Sequence, residues 1–272
     1  MKLKITISLF AVALFAIGCA TNPFTGEKTL ALVPNSQILP MAFQQYDQFL
    51  SEHKVVKNTT DSRMVNDVGN KIASAAEKYL KANGYAGYLA DYRWEYNLVD
   101  SPEVNAWCMP GGKIVIYTGI LPVTKNEAGL AAVMGHEVAH ALANHGQQRM
   151  SAAQVQQLGA VAGNIALAEN PENQALFNTA YGLGSNVGVM LPFSRSHETE
   201  ADKIGLTLMA IAGYDPIVAA QLWERMQAQQ QGAPPEFLST HPASSTRINN
   251  INSWAASARA EARKYGVTTF KK

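Results

Sequence analysis

His136-Glu137-Val138-Ala139-His140 is the run whose residue types and spacing do the most chemistry. It reads HExxH and lies in a strongly helical stretch. On an α-helix, positions four apart share a face, so both imidazoles can grip one metal ion. Glu137 lies beside them and can act on a water held there. Two imidazole ligands with one carboxylate as general base is the arrangement of zinc hydrolases.

Such a site needs three protein ligands and one open position. The stretch Ser194 to Asp202 offers carboxylates on a helix start. Glu198 and Asp202 are four apart and share a face. Glu200 is turned away from Glu198 by about 200°. If Glu198 is the third ligand, Asp202 can hydrogen-bond a ligating imidazole, fix its tautomer and raise its basicity. His241-Pro242 begins a loop late in the chain. His241 could bind the oxyanion of a tetrahedral intermediate, or cap the metal in a resting state. His145 falls on a different helical face from His140 and reads as structural or surface. His53 and His197 read as ordinary polar residues.

These residues need elements to hold them. Residues 37–51 and 61–82 have helical spacing. Trp94 to Val99, Val104 to Met109 and Lys113 to Thr118 read as strands, with Pro110-Gly111-Gly112 as a turn. They predict a small antiparallel sheet just ahead of the metal helix. Thr124 and Glu127 fit a capping box that starts that helix, and Gly146 weakens its end. Residues 152–191 are low in charge. They predict helices at about 153–168 and 173–190, packed as a hairpin or serving as a mobile lid. Further helices are expected at 194–212, 216–229 and 244–264, with a Gly/Pro-rich loop at 232–235. The fold class is therefore α+β, mostly helical and zincin-like.

The N-terminus reads as a targeting segment. Lys2 and Lys4 precede an apolar run from Ile5 to Ile17, and Gly18-Cys19 closes it. Phe15 to Cys19 resembles a lipobox in which Cys19 is lipidated, with Ala16 where Leu is usual. Ala20 follows, with no Asp to retain a lipoprotein at the inner membrane, so the outer membrane is expected. The expected organisation is a signal peptide at 1–18, a lipidated irregular tether at 19–36 and a protease domain at 37–272. Among 272 residues the hydrophobic fraction is 47% and the formal charge is +1, which excludes a disordered chain and a nucleic-acid surface. Of two cysteines, only Cys108 remains once Cys19 is acylated, so no internal disulfide is expected.

Several blocks resemble one family, the gluzincin metallopeptidases of the CAAX prenyl protease, the heat-shock protease HtpX and periplasmic lipoprotein proteases. They are Asn105-Ala106-Trp107 with Pro110-Gly111-Gly112, Thr118-Gly119, Asn126-Glu127, the HExxH, Arg149-Met150-Ser151, Ser194-Arg195, Glu198 with Asp202, and Ser239-Thr240-His241-Pro242 with Arg247-Ile248. The resemblance implies one zinc per chain on His136, His140 and Glu198, with Glu137 as catalytic base. It implies that Asn105 and Ala106 lie on an edge strand to which a peptide substrate adds. Cys108 stands where an apolar residue is usual. The expected function is a lipid-anchored periplasmic endopeptidase acting on unfolded or misassembled envelope proteins. The rivals are a chaperone-like binding protein and a latent protease opened by a signal.

Overall fold

The computed structural model describes residues 18–176, 195–228 and 235–272. The chain divides into two compact units, one of residues 1–38 with 144–192, the other of residues 39–143 with 193–272. Except for Gly18, the expected signal peptide lies outside the described residues. So do residues 177–191 of the expected hairpin and most of the 232–235 loop.

In the first unit, β1 (Cys19–Thr21) and β2 (Lys28–Leu30) form a two-stranded antiparallel hairpin. The expected tether is thus not wholly irregular; Gly26, with φ 74°, lets the intervening loop turn.

The second unit carries a four-stranded sheet of β3 (Val55–Val56), β4 (Glu95–Val99), β5 (Ala106–Met109) and β6 (Lys113–Tyr117), in the order β3-β4-β6-β5. The β5–β6 and β3–β4 pairs are antiparallel, but β4 and β6 are parallel. The sheet is therefore mixed rather than antiparallel. The chain from β4 passes through β5 before returning, which leaves a slot that β6 fills in the same direction as β4. Gly111 and Gly112 make that return at φ 85° and 84°, and a Cβ on Gly112 would lie 2.5 Å from the Trp94 ring.

Helix α1 (Asn35–Glu52) covers one sheet face with Tyr46, which packs with Val99, Val115 and Tyr117. Helix α2 (Thr60–Ala82) begins at a capping box between Thr59 and Ser62 and lays Val65, Val68 and Ile72 inward. Gly69 admits the Tyr96 ring of β4, where any Cβ would stand 2.4 Å from it.

A short helix α3 (Leu121–Thr124) precedes the metal helix α4 (Glu127–Leu142). Thr124 therefore does not cap α4. Its hydroxyl donates to Leu121 O at 3.0 Å, Lys125 takes φ 67°, and Asn126 is the N-cap, accepting from Gly129 N at 3.0 Å. At the other end Asn144, in the left-handed region at φ 57°, interrupts the helical backbone. Helix α5 (His145–Ala166) starts there, eight residues earlier than its sequence pattern suggests. Residues 171–176 are helical after it.

Among the described residues, four helices complete the second unit: α6 (Arg195–Ile211), α7 (Ile217–Ala228), the unexpected short α8 (Glu236–Thr240) and α9 (Ser245–Arg263). Gly135 of α4 and Gly205 of α6 face each other at a crossing. A Cβ on Gly205 would stand 2.9 Å from His136 N, and one on Gly135 the same distance from Gly205 O. Two missing side chains thus let the helix carrying the histidines approach the helix carrying Glu198.

Candidate active site

Four buried side chains converge where these elements meet. His136 and His140 come from α4, Glu198 from the first turn of α6, and His241 from the residue that ends α8. One potential ligand atom from each lies within 4.8 Å of the others. His136 Nε2 and His140 Nε2 are 3.1 Å apart. Glu198 Oε1 is 3.2 Å from His140 Nε2, and Oε2 is 3.5 Å from His136 Nε2. His241 Nδ1 is 3.2 Å from His136 Nε2 and 2.9 Å from Glu198 Oε1. Glu137 points a buried carboxylate at the same place, its Oε1 being 3.4 Å from His241 Nε2.

These spacings test whether the residues suit zinc. In a tetrahedral site with bonds of about 2.0–2.1 Å, ligand atoms stand about 3.3 Å apart. The observed edges straddle that value. The donor set also suits it, since an all-oxygen metal would not choose two imidazoles.

Charge points the same way. Glu137, Glu198 and Asp202 are all buried, and the cation among them is Arg247. Its Nε and Nη2 each lie 2.7 Å from an Asp202 oxygen, and Nη1 lies 2.9 Å from Glu198 Oε2. Its guanidinium stacks 3.5 Å over the Trp223 ring. Two negative charges are left over, which a dication would neutralise. Without one, the cluster holds protons. Burial and Arg247 pull His136 down, yet the Asp202 and Glu198 carboxylates outweigh them and push it up to about 9. Burial raises Glu137 and lowers His140. Burial works against the Glu198 charge, but hydrogen bonds from His136, His140 and His241 hold it far below the carboxylate range. A metal and a proton would therefore compete for His136.

Asp202 reaches His136 Nδ1 at 3.0 Å, the contact that orients a ligating imidazole. Glu200 is half-buried and outside the cluster. His145 is fully buried and also outside it; His53 is exposed and stacks on Phe49. Arg247 is the residue whose part sequence reasoning missed. It had appeared only inside a family block, with no role. Two buried acids on one helix face demand a cation, but that pair does not say where in the chain the cation stands.

Ala106 opens β5, an edge strand of the sheet. Asn105 O accepts from Tyr117 N of β6 at 3.1 Å, so the next residue turns its main-chain groups outward. The Ala106 N–H is held meanwhile by Asn105 Oδ1 at 2.9 Å. Burial pushes the Cys108 thiol well up, and the Glu137 charge adds to this, so it behaves as a small apolar residue.

The profile of peptidase family M48 matches residues 68–255, most of the chain. The chain belongs to peptidase family M48. It is 41% identical over 175 residues to the mitochondrial metalloendopeptidase OMA1 of Schizosaccharomyces pombe, covering 64% of this chain and 50% of that protein. To OMA1 of Arabidopsis thaliana it is 37% identical over 234 residues, 85% of this chain and 42% of the relative. To the beta-barrel assembly-enhancing protease of Escherichia coli it is 25% identical over 251 residues, 90% and 49% respectively. The chain spans about half the length of the curated relatives it matches. Family membership fits the HExxH cluster and its donor set: M48 enzymes are metallopeptidases.

Proposed function

We propose that this chain is a zinc-dependent endopeptidase of the bacterial envelope, in the lipoprotein branch of its family, hydrolysing unfolded or misassembled envelope proteins. One observation carries the activity. Three donors of His2Glu type stand at the edge lengths of a zinc site, with an unligated buried carboxylate, Glu137, beside them. Bound there, zinc would supply Lewis-acid polarisation of the scissile carbonyl and a nucleophilic water at neutral pH. Glu137 would take the proton of that water and return it to the leaving amine. A peptide adding to β5 would take over the Ala106 N–H from the Asn105 side chain and align with the cleft. Casein cleavage that a chelator abolishes and added zinc restores is the test; cleavage indifferent to the chelator would refute the proposal.

The envelope location rests on the sequence of the N-terminus, since the OMA1 relatives are mitochondrial. Acyl chains on Cys19 would hold the protein on the periplasmic face of the outer membrane. Labelled palmitate should enter the wild type and not Cys19→Ser; labelling of both would remove the anchor.

A latent form of this enzyme is favoured by His241. Its Nδ1 stands at ligand-edge distance from His136 and Glu198, and a fourth protein donor closes a zinc site that catalysis needs open. His241→Ala should therefore raise basal cleavage with zinc content unchanged. A fall of about 10²–10³-fold would mean instead that His241 binds the oxyanion.

A further inference from the structure

Helix α5 is built inside out. Between Arg149 and Glu169 no residue carries a charge. Its small residues Ala152, Ala153, Gly159, Ala160 and Gly163 are half-buried, while Val155, Leu158, Val161 and Ile165 are exposed. Leu158 is 67% and Ile165 71% accessible. At about 100° per residue these four fall within an arc of roughly 120°. Gln147 and Ser151 lie on the same side of the helix, about two turns and one turn before Val155. They are not bare: Gln147 Nε2 donates to Val33 O at 2.7 Å, and Leu32 N donates to Ser151 Oγ at 3.0 Å. The stripe thus begins under the segment that follows β2 and continues uncovered for about 15 Å from Val155 to Ile165.

That segment leads straight back to the apolar N-terminus. Gly18 O accepts from Ala31 N at 2.6 Å, and Cys19 pairs with Leu30. The apolar run Ile5 to Ile17 ends one residue earlier. Retained as an anchor or replaced by acyl chains on Cys19, the membrane-embedded part joins this unit at the foot of α5. A soluble protein rarely turns a run of large aliphatic side chains outward along a charge-free helix surface, here with the uncharged, exposed Gln154 in the same arc. Among the described residues no helix is long and apolar enough to cross a membrane.

We propose that the Val155–Leu158–Val161–Ile165 face of α5 lies on the lipid bilayer, seated in the interface between headgroups and acyl chains. The proposal rests on the anchoring reading above. The anchor holds the unit at the surface, and the face fixes how α5 is presented to it. Interfacial helices sink their apolar side by about 5–10 Å, the depth that side chains of this length reach.

The test uses the full chain on vesicles of phosphatidylethanolamine and phosphatidylglycerol that carry an acyl-chain quencher. A Cys108→Ala background leaves the acylated Cys19 unreactive, and an environment-sensitive thiol dye is placed in turn through Leu158→Cys, Ile165→Cys and Gln156→Cys. Gln156 lies about 160° around the helix from Leu158. The expected result is quenching at Leu158 and Ile165 at least about twofold greater than at Gln156. Equal quenching at all three positions, or none, would overturn it. So would a shielded dye at Leu158 in a species of twice the mass by light scattering, which would give the face to a second copy. The Cys108→Ala protein alone separates the two readings. Dye uptake there exposes an unacylated Cys19 and counts against the lipid anchor of the proposed function, while the comparison of the three labels still judges α5.

Discussion

Glu137→Gln will keep its zinc and its fold, and will cleave casein at least ~10²-fold more slowly than the wild type. The reasoning is geometric. Glu137 is not among the converging donors; its nearest ionic neighbour is His241 Nε2 at 3.4 Å. Removing its charge leaves the ligand set intact and relieves a carboxylate that burial already disfavours. What is lost is the group that takes a proton from water. Peptide binding at β5 should survive, which also separates an enzyme from a chaperone-like binding protein. Equal rates for mutant and wild type would remove Glu137 from the mechanism.

The HExxH signal was readable because it is local. A four-residue spacing on one helix decides which side chains meet before any tertiary contact exists. Glu198 and Asp202 were readable for the same reason, as a pair on one face. The strands at 95–99 and 113–117 followed from β-branched and aromatic runs. The parallel pairing of β4 with β6 was not readable, because adjacent short strands separated by a turn look like a meander whichever one fills the centre. Thr124 and Asn126 both make good caps. Only the short helix α3 and the positive φ of Lys125 decide between them. The use of Gly135 and Gly205 in the helix crossing appears only when the two helices meet. Arg247 is 45 residues from Asp202 and 111 from His136 along the chain, so no periodicity could connect them.

Arg247 carries the second large expected effect. Arg247→Ala should cost about 3–5 kcal/mol of stability, because it strands two buried carboxylates without their cation. For a chain of this size that lowers the melting temperature by roughly 10 °C. The loss should be greatest after chelation, since a bound dication would offset part of the missing charge. Arg247→Lys should recover little, because an ammonium cannot reproduce the two-pronged contact with Asp202 while touching Glu198 and covering Trp223. Melting of Arg247→Ala within 2 °C of the wild type in chelator, a margin of about 1 kcal/mol, would mean that the carboxylates are neutral there and the charge argument fails.

The central claim is that one zinc is held by His136, His140 and Glu198. Metal content by elemental analysis of purified variants tests it most directly. The wild type and Glu200→Gln should carry one zinc per chain, His136→Ala should lose most of it, and Glu198→Gln should be strongly depleted. If Glu198→Gln kept its zinc while Glu200→Gln lost it, the third ligand would be wrongly assigned and the account contradicted.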